Sequence, residues 1–181
     1  MEKELEIKIL NIDFKELESL LIAKGAEKIA HEDQQNIIVS SDKLHFENKG
    51  DYLRIRIVKD LLSNNLYKYL TLKRLKDNSE FRESEEYTIR FDDLENLKVI
   101  LKNLGYGNFE SNFKERYSYK YKNLRVDFDY WDKSSFPFDY VEVEALTRSD
   151  LDLFLKEFKI SKENTTSKSI KELKEEYFKG I

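Results

Sequence analysis

The 181-residue chain contains no cysteine, so it can form neither a disulfide nor a thiolate metal site. It has no excess of positive charge. Its 32 Lys and Arg stand against 36 Asp and Glu, a formal net charge of −4. That balance argues against a general nucleic-acid binder and against a sequence-specific nucleic-acid partner, although basic residues can still gather in a pocket. No apolar run is long enough to span a bilayer and no apolar signal region opens the chain, so no membrane partner is expected and the expected location is the cytoplasm. The single proline, Pro137, falls in the loop 134–138, and no linker or low-complexity tract divides the chain. One domain with a proper core is the simplest reading. His31 and His45 lie far apart in dissimilar polar contexts and read as surface residues rather than a metal pair. No His, Cys or Ser constellation suggests covalent catalysis.

What the chain does have is charge, at 38% of residues, with 13% aromatics; it is neither disordered nor membrane-embedded. The charge is patterned. Side chains alternate sides along a strand, so in Glu4-Leu5-Glu6-Ile7-Lys8-Ile9 the charged residues share one face and the apolar residues the other. The same alternation sets Arg54 and Arg56 against Leu53, Ile55 and Ile57, and Thr71 and Lys73 against Leu70 and Leu72. It also sets Glu86, Thr88 and Arg90 against Tyr87, Ile89 and Phe91. Lys114 and Arg116 follow, then Arg125, Asp127 and Asp129, then Glu142 and Glu144. Glu pairs and Arg/Lys pairs occupy separate strands, a layout suited to a polyanion together with divalent cations.

Strands are read at 3–10, 33–40 and 85–91. Helices are read after Asp13, with Glu16 completing a capping box and Gly25 at the end, and after Asp92, with Glu95 at the same spacing and Gly105 at the end. This gives a weak internal repeat of two strand–helix–strand–strand halves. A further helix, capped by Ser149 or Asp150, is placed at 151–158. A last one, about 167–178, carries Ile170, Leu173, Tyr177 and Phe178 on one stripe. About eight strands with short connections are antiparallel neighbours. Closing them into a barrel turns the charged faces inward and leaves the apolar faces to the helices. The fold class is therefore α+β: a closed antiparallel β-barrel of about eight strands with helices outside. Tyr87, Ile89 and Phe91 are expected against helices, Trp131 between barrel and helices, and Arg90 and Arg125 in ion pairs within the barrel.

Glu4-x-Glu6-x-Lys8 resembles the signature of the CYTH superfamily, the triphosphate tunnel metalloenzymes. In the same order, Arg54-x-Arg56, Leu70-Thr71-Leu72-Lys73, Lys114-x-Arg116, Asp127 and Glu142-x-Glu144 resemble the strands that follow in that family. The resemblance covers almost the whole chain and implies a single tunnel domain over 1–181 with a C-terminal helical lid at about 167–178. Two departures stand out: Glu86-x-Thr88 where relatives often carry Glu-x-Glu, and Ser167-Lys168-Ser169-Ile170 where many carry Ser-Tyr.

The resemblance implies a small-molecule triphosphate substrate. Lys8, Arg54, Arg56, Lys73, Lys114 and Arg116 would hold its phosphates, Arg as a bidentate fork and Lys as a point charge. Glu4, Glu6, Glu142 and Glu144 would hold Mg²⁺ or Mn²⁺, with Asp127 and Glu86 as further ligands, since carboxylates facing phosphate need hard cations between. Glu4, Glu6 and Lys8 are the candidate catalytic group. The implied activity is a metal-dependent triphosphatase acting on inorganic or organic (nucleoside or thiamine) triphosphate. The alternatives are a class IV adenylate cyclase and a non-catalytic triphosphate or polyphosphate sensor; the acidic pairs disfavour the sensor. A homodimer is left open.

Overall fold

The computed structural model describes residues 2–46, 50–78 and 80–179, and side chains within these except those of 2–4, 77–78 and 178–179. The first half runs β1 (Glu2–Ile9), α1 (Phe14–Ala23), β2 (Glu27–Ser40), β3 (Tyr52–Asp60) and β4 (Leu66–Asn78). The second repeats the order with β5 (Arg82–Arg90), α2 (Leu94–Asn103), β6 (Asn108–Tyr121), β7 (Leu124–Trp131) and β8 (Tyr140–Ala145). Then come α3 (Arg148–Glu157), a 3-10 turn (Lys162–Asn164), β9 (Thr165–Thr166) and α4 (Ile170–Lys179).

Every ladder is antiparallel, and the order β5-β4-β3-β2-β6-β7-β8-β1 closes through a β1–β5 pairing. The result is a closed eight-stranded barrel without a free edge along its wall. Exchanging the two halves strand for strand reproduces the same ring, so the internal repeat is a real feature of the architecture. β9 extends the wall by two residues beside Lys8 and Ile9, beyond the end of β5.

The outward faces are apolar where helices cover them. Leu5, Ile7, Val126, Phe128 and Val143 pack under α1 and α3, which contribute Leu17, Leu21, Leu151 and Phe154. Ile37, Val39 and Ile55 pack with Leu94, Leu97 and Leu101 of α2. Asp13 caps α1 by accepting from the Glu16 amide at 3.0 Å, and Gly25 (φ +89°) ends it in the left-handed region.

Several sequence expectations need correction. β2 begins at Glu27 rather than at 33, because its N-terminal half pairs with the long β6 across a bulge near Lys28. α2 is capped by Asp93 rather than Asp92, and α3 by Thr147 rather than Ser149 or Asp150. α4 starts at Ile170, since Thr165 and Thr166 are drawn into the sheet and Ser169 with Glu172 forms the helix-opening box. Tyr87 and Ile89 face outward as read but are not covered as expected; they are 43% and 59% exposed. Only Phe91 of that face reaches the α2 cluster. Arg90 is exposed and lies 5.0 Å over the Tyr67 ring, with no ion pair among the described residues.

Candidate active site in the barrel lumen

The pleat sends Glu6 and Lys8 of β1, Arg54 and Arg56 of β3, and Thr71 and Lys73 of β4 into the lumen. Arg82 and Glu86 of β5, Lys114 and Arg116 of β6, Asp127 and Asp129 of β7, and Glu142 and Glu144 of β8 face them. Cross-strand register sets their neighbours: Glu6 lies opposite Glu144 and Arg82, Lys8 opposite Glu142, Lys73 opposite Glu86, and Arg116 opposite Asp129. Glu4 is paired in β1, but its side chain lies outside the described ones.

One carboxylate cluster stands out. Glu6, Glu142 and Glu144 each offer an oxygen, and these all lie within 4.8 Å of one another. Lys8 sits among them, 3.2 Å from Glu6 Oε1 and 3.1 Å from Glu142 Oε2. Burial alone would raise the Glu142 carboxyl, yet Lys8 and Arg116 hold it well below its ordinary value. Glu6 is lowered in the same way, with Lys73 and Lys8 outweighing its burial. Burial would lower Lys8, but Glu6 and Glu142 raise it. Glu6 and Glu142 are thus ionised oxygen donors, grouped in one place with Glu144, and the set fits a hard divalent cation. Asp127 and Glu86 are not in that group, although Asp127 faces Glu142 across the β7–β8 ladder. Asp127, fully buried, pairs with Arg116 and with Arg125 at 2.9 Å; Glu86 pairs with Lys73 at 3.0 Å and Arg54 at 3.6 Å.

The basic residues fall into two groups. Arg116 is locked: Nε and Nη2 reach the two oxygens of Asp129 at 2.6 and 2.7 Å, Nη1 reaches Asp127, and Nη2 also lies 3.3 Å from Glu142. Burial opposes its charge, but Asp127 and Asp129 raise it well above the ordinary arginine value. Lys114 shares Asp129 at 2.6 Å; even so, burial and the adjacent Arg116 push its ammonium down to about 7. Arg56 behaves differently. Its Nε donates to Asn36 Oδ1 at 2.7 Å, and among the described residues it pairs with no carboxylate. Burial and the neighbouring Arg54 and Arg116 push it down to about 10.

Lumen residues absent from the sequence-derived set are Asp129, Arg82 and the uncharged Gln34, Asn36 and Asn112, all buried. Asp129 shares the face of Asp127 and was legible from alternation. Arg82 was hidden because its strand was read from Glu85, although Arg82, Ser84, Glu86 and Thr88 share one parity. Glu83 and Glu85 point outward, and Glu85 pairs with Lys76 at 3.0 Å.

The two ends of the lumen differ. At one, Trp131 and Tyr140 pack with Phe136 and with Leu173 of α4. Trp131 is therefore on the lumen side, contrary to the expectation of a place between barrel and helices, because it continues the Asp127–Asp129 parity. Lys114 Nζ lies 5.0 Å over its ring. α4 reaches both β5, through Glu172–Arg82 at 3.9 Å, and the opposite strand β6, through Lys174–Asn112 at 2.8 Å. At the other end Thr88, Arg90 and Lys120 are exposed.

An eight-stranded antiparallel barrel with an ion-paired lumen and a carboxylate cluster defines a charged-tunnel protein. A family model described as the CYTH domain matches residues 2–177, and the chain belongs to that family, which includes triphosphatases and adenylate cyclases. Such tunnels are metal-dependent in general. Among solved structures, the PH1819 protein of Pyrococcus horikoshii OT3 is similar at 20% identity and TM-score 0.75, covering 96% of this chain and 99% of that one. A proposed adenylate cyclase from Vibrio parahaemolyticus is similar at 16% identity and TM-score 0.74, covering 93% and 95% of the two chains. HpAC1 from Hippeastrum, a proposed adenylyl cyclase described as having a dominant triphosphatase activity, is similar at 19% identity and TM-score 0.64, covering 93% and 91%. No curated protein sequence matches the chain. No helix among the described residues is long and apolar enough to cross a membrane.

Proposed function

We propose that the protein is a divalent-metal-dependent triphosphatase that hydrolyses inorganic or organic triphosphate inside the tunnel. The observation that carries this reading is the presence of two groups in one lumen: the Glu6, Glu142 and Glu144 cluster, and the basic Arg54, Arg56 and Lys73, of which Lys73 reaches Glu6 at 3.0 Å. An anion receptor needs only the second group; hydrolysis also needs the first.

Glu6, Glu142 and Glu144, joined by Glu4 from the same strand, would hold Mg²⁺ or Mn²⁺. When bound, such an ion supplies charge neutralisation at the phosphoryl oxygens and lowers the pKa of a coordinated water. Asp127 and Glu86 act as ion-pair partners that set the direction of Arg116, Lys73 and Arg54, rather than as direct ligands. Arg54, Arg56 and Lys73 bind and orient the phosphates, with Lys8 beside the carboxylates contacting the same tail. Lys114 and Arg116 add positive field from the far wall. Phosphoryl transfer is governed by positioning and charge neutralisation, which this arrangement supplies without a covalent nucleophile. α4 serves as the lid of the Trp131 end, leaving the opposite end for substrate passage.

Product analysis tests the reading. With Mg²⁺ or Mn²⁺, inorganic triphosphate should release phosphate. Cyclic AMP and pyrophosphate from ATP would instead make the protein a cyclase, and binding of either compound without turnover would make it a sensor.

A further inference from the structure

Arg82 is 2% exposed and faces the lumen, yet the described residues hold it only loosely. Its Nε lies 3.6 Å from Glu6 Oε1, its Nη1 3.9 Å from Glu172 Oε2, and its Nη2 donates to the Gly50 carbonyl at 3.4 Å. The contrast with Arg116, whose bonds to Asp129 are 2.6 and 2.7 Å, is one of kind. A guanidinium has five N–H donors in a fixed fork, and leaving them poorly bonded in a buried place is costly. Arg82's partners are also already engaged. Glu6 accepts from Lys73 at 3.0 Å and Lys8 at 3.2 Å, and Glu172 Oε2 accepts from the Ser169 amide and hydroxyl, both at 2.7 Å.

We propose that Arg82 is an additional phosphate-binding residue of the tunnel, and that Glu172 on α4 competes with the phosphate for it. The proposal rests on the triphosphatase reading and deepens it by linking the C-terminal helix to occupancy of the tunnel. A phosphate oxygen beside Arg82 would replace contacts of 3.4 to 3.9 Å with charge-assisted hydrogen bonds of about 2.7–2.9 Å. Glu172 would then keep its bonds to Ser169, and α4 would lose its tie to β5 through Arg82 while keeping those of Lys174 to β6. Substrate binding and docking of α4 thereby oppose each other, so that an occupied tunnel carries a looser helix.

The test is a sign comparison in calorimetric titrations of inorganic triphosphate into the full chain, without metal. Arg82→Gln should weaken binding by about tenfold or more, the scale of a lost charged hydrogen bond. Glu172→Gln should tighten it a few-fold. Glutamine still completes the helix-opening box, so α4 is preserved while the competing charge is removed. A purely structural Arg82–Glu172 pair would make both substitutions weaken binding together or leave it unchanged, and either result overturns the proposal. Should Arg82→Gln fail to fold, Glu172→Gln decides alone: tighter binding supports the competition, and unchanged or weaker binding rejects it. Failure of wild-type protein to bind triphosphate would sink the functional reading as well, whereas normal wild-type binding with an indifferent Arg82→Gln sinks this proposal only.

Discussion

The two walls of the lumen carry similar numbers of charges and use them differently. On the β6–β7–β8 side, Arg116 and Lys114 are bound to Asp129 at 2.6–2.7 Å, and Asp127 and Asp129 are fully buried. On the β3–β4–β5 side, Arg82 is no closer than 3.6 Å to a carboxylate among the described residues, and Arg56 leans on the amide of Asn36. Buried charges without close partners cost stability, and close pairs recover part of that cost. The tight wall is therefore read as scaffold. On the looser wall Arg56 and Arg82 have no carboxylate closer than 3.6 Å among the described residues, which leaves positive charge for receiving an anion, whereas Lys73 is held at 3.0 Å by both Glu6 and Glu86. Arginines on the same barrel thus divide into structure and site: Arg116 is fully engaged by Asp127 and Asp129, while Arg56 and Arg82 keep weaker partners among the described residues.

The largest effect should come from breaking the tight wall. Asp129→Asn leaves Arg116 and Lys114 buried beside a neutral amide, and chemical denaturation should show a loss of roughly 3–5 kcal/mol. A near-neutral result would mean that Asp129 does not hold this wall together. The Glu6→Gln/Glu142→Gln double variant should cut turnover on the order of 100- to 1000-fold, the scale of removing preorganised electrostatic groups. Folding should be checked by circular dichroism, since Lys8 loses both partners that raise its pKa. A folded double variant with ordinary metal-dependent activity would remove the acidic cluster from the site.

Arg56→Ala probes the loose wall. Triphosphate binding should weaken about tenfold, while the melting temperature stays within a few degrees, because no described carboxylate is orphaned. A large loss of stability with unchanged binding would reverse the assignment of the two walls. On β5, Glu86→Ala should reduce activity more than Glu85→Ala, because Glu86 orients Lys73 inside and Glu85 meets Lys76 outside. The reverse ranking would contradict the observed strand register.

The smallest effect concerns Lys114, whose ammonium is lowered to about 7. Above that pH it is mostly neutral, and a bound polyanion favours its charged form. Triphosphate affinity should therefore fall as pH rises through about 7 and beyond, with proton uptake on binding. Comparison with Lys114→Met corrects for titration of the phosphate itself; an identical proton uptake in the variant would show that Lys114 is not coupled to the site.

Alternation made most of this legible beforehand. Because side-chain parity is set by the strand alone, the inward placement of Glu6, Lys8, Arg54, Arg56, Lys73, Glu86, Lys114, Arg116, Asp127, Glu142 and Glu144 follows from sequence once the sheet closes. Parity also placed Asp129 on the charged face, without a role, and extends to Trp131. Pairing strength could not be read. The bidentate hold of Asp129 on Arg116 depends on the register of the β6–β7 hairpin, and the meeting of Glu142 and Glu144 with Glu6 on the register between strands more than a hundred residues apart. The position of α4 against Arg82 and Asn112 was equally hidden, since an amphipathic stripe shows that a helix packs but not on what. The exposure of Tyr87 and Ile89 has the same origin: parity sets the face, and the path of the helices decides whether it is covered.

The most direct test of the division between the walls is the structure of the full chain with inorganic triphosphate bound. The account predicts phosphate oxygens against Arg54, Arg56 and Lys73, with the Arg116–Asp129 pair intact. An anion seated on Arg116 with that pair broken, or bound outside the lumen, would contradict it.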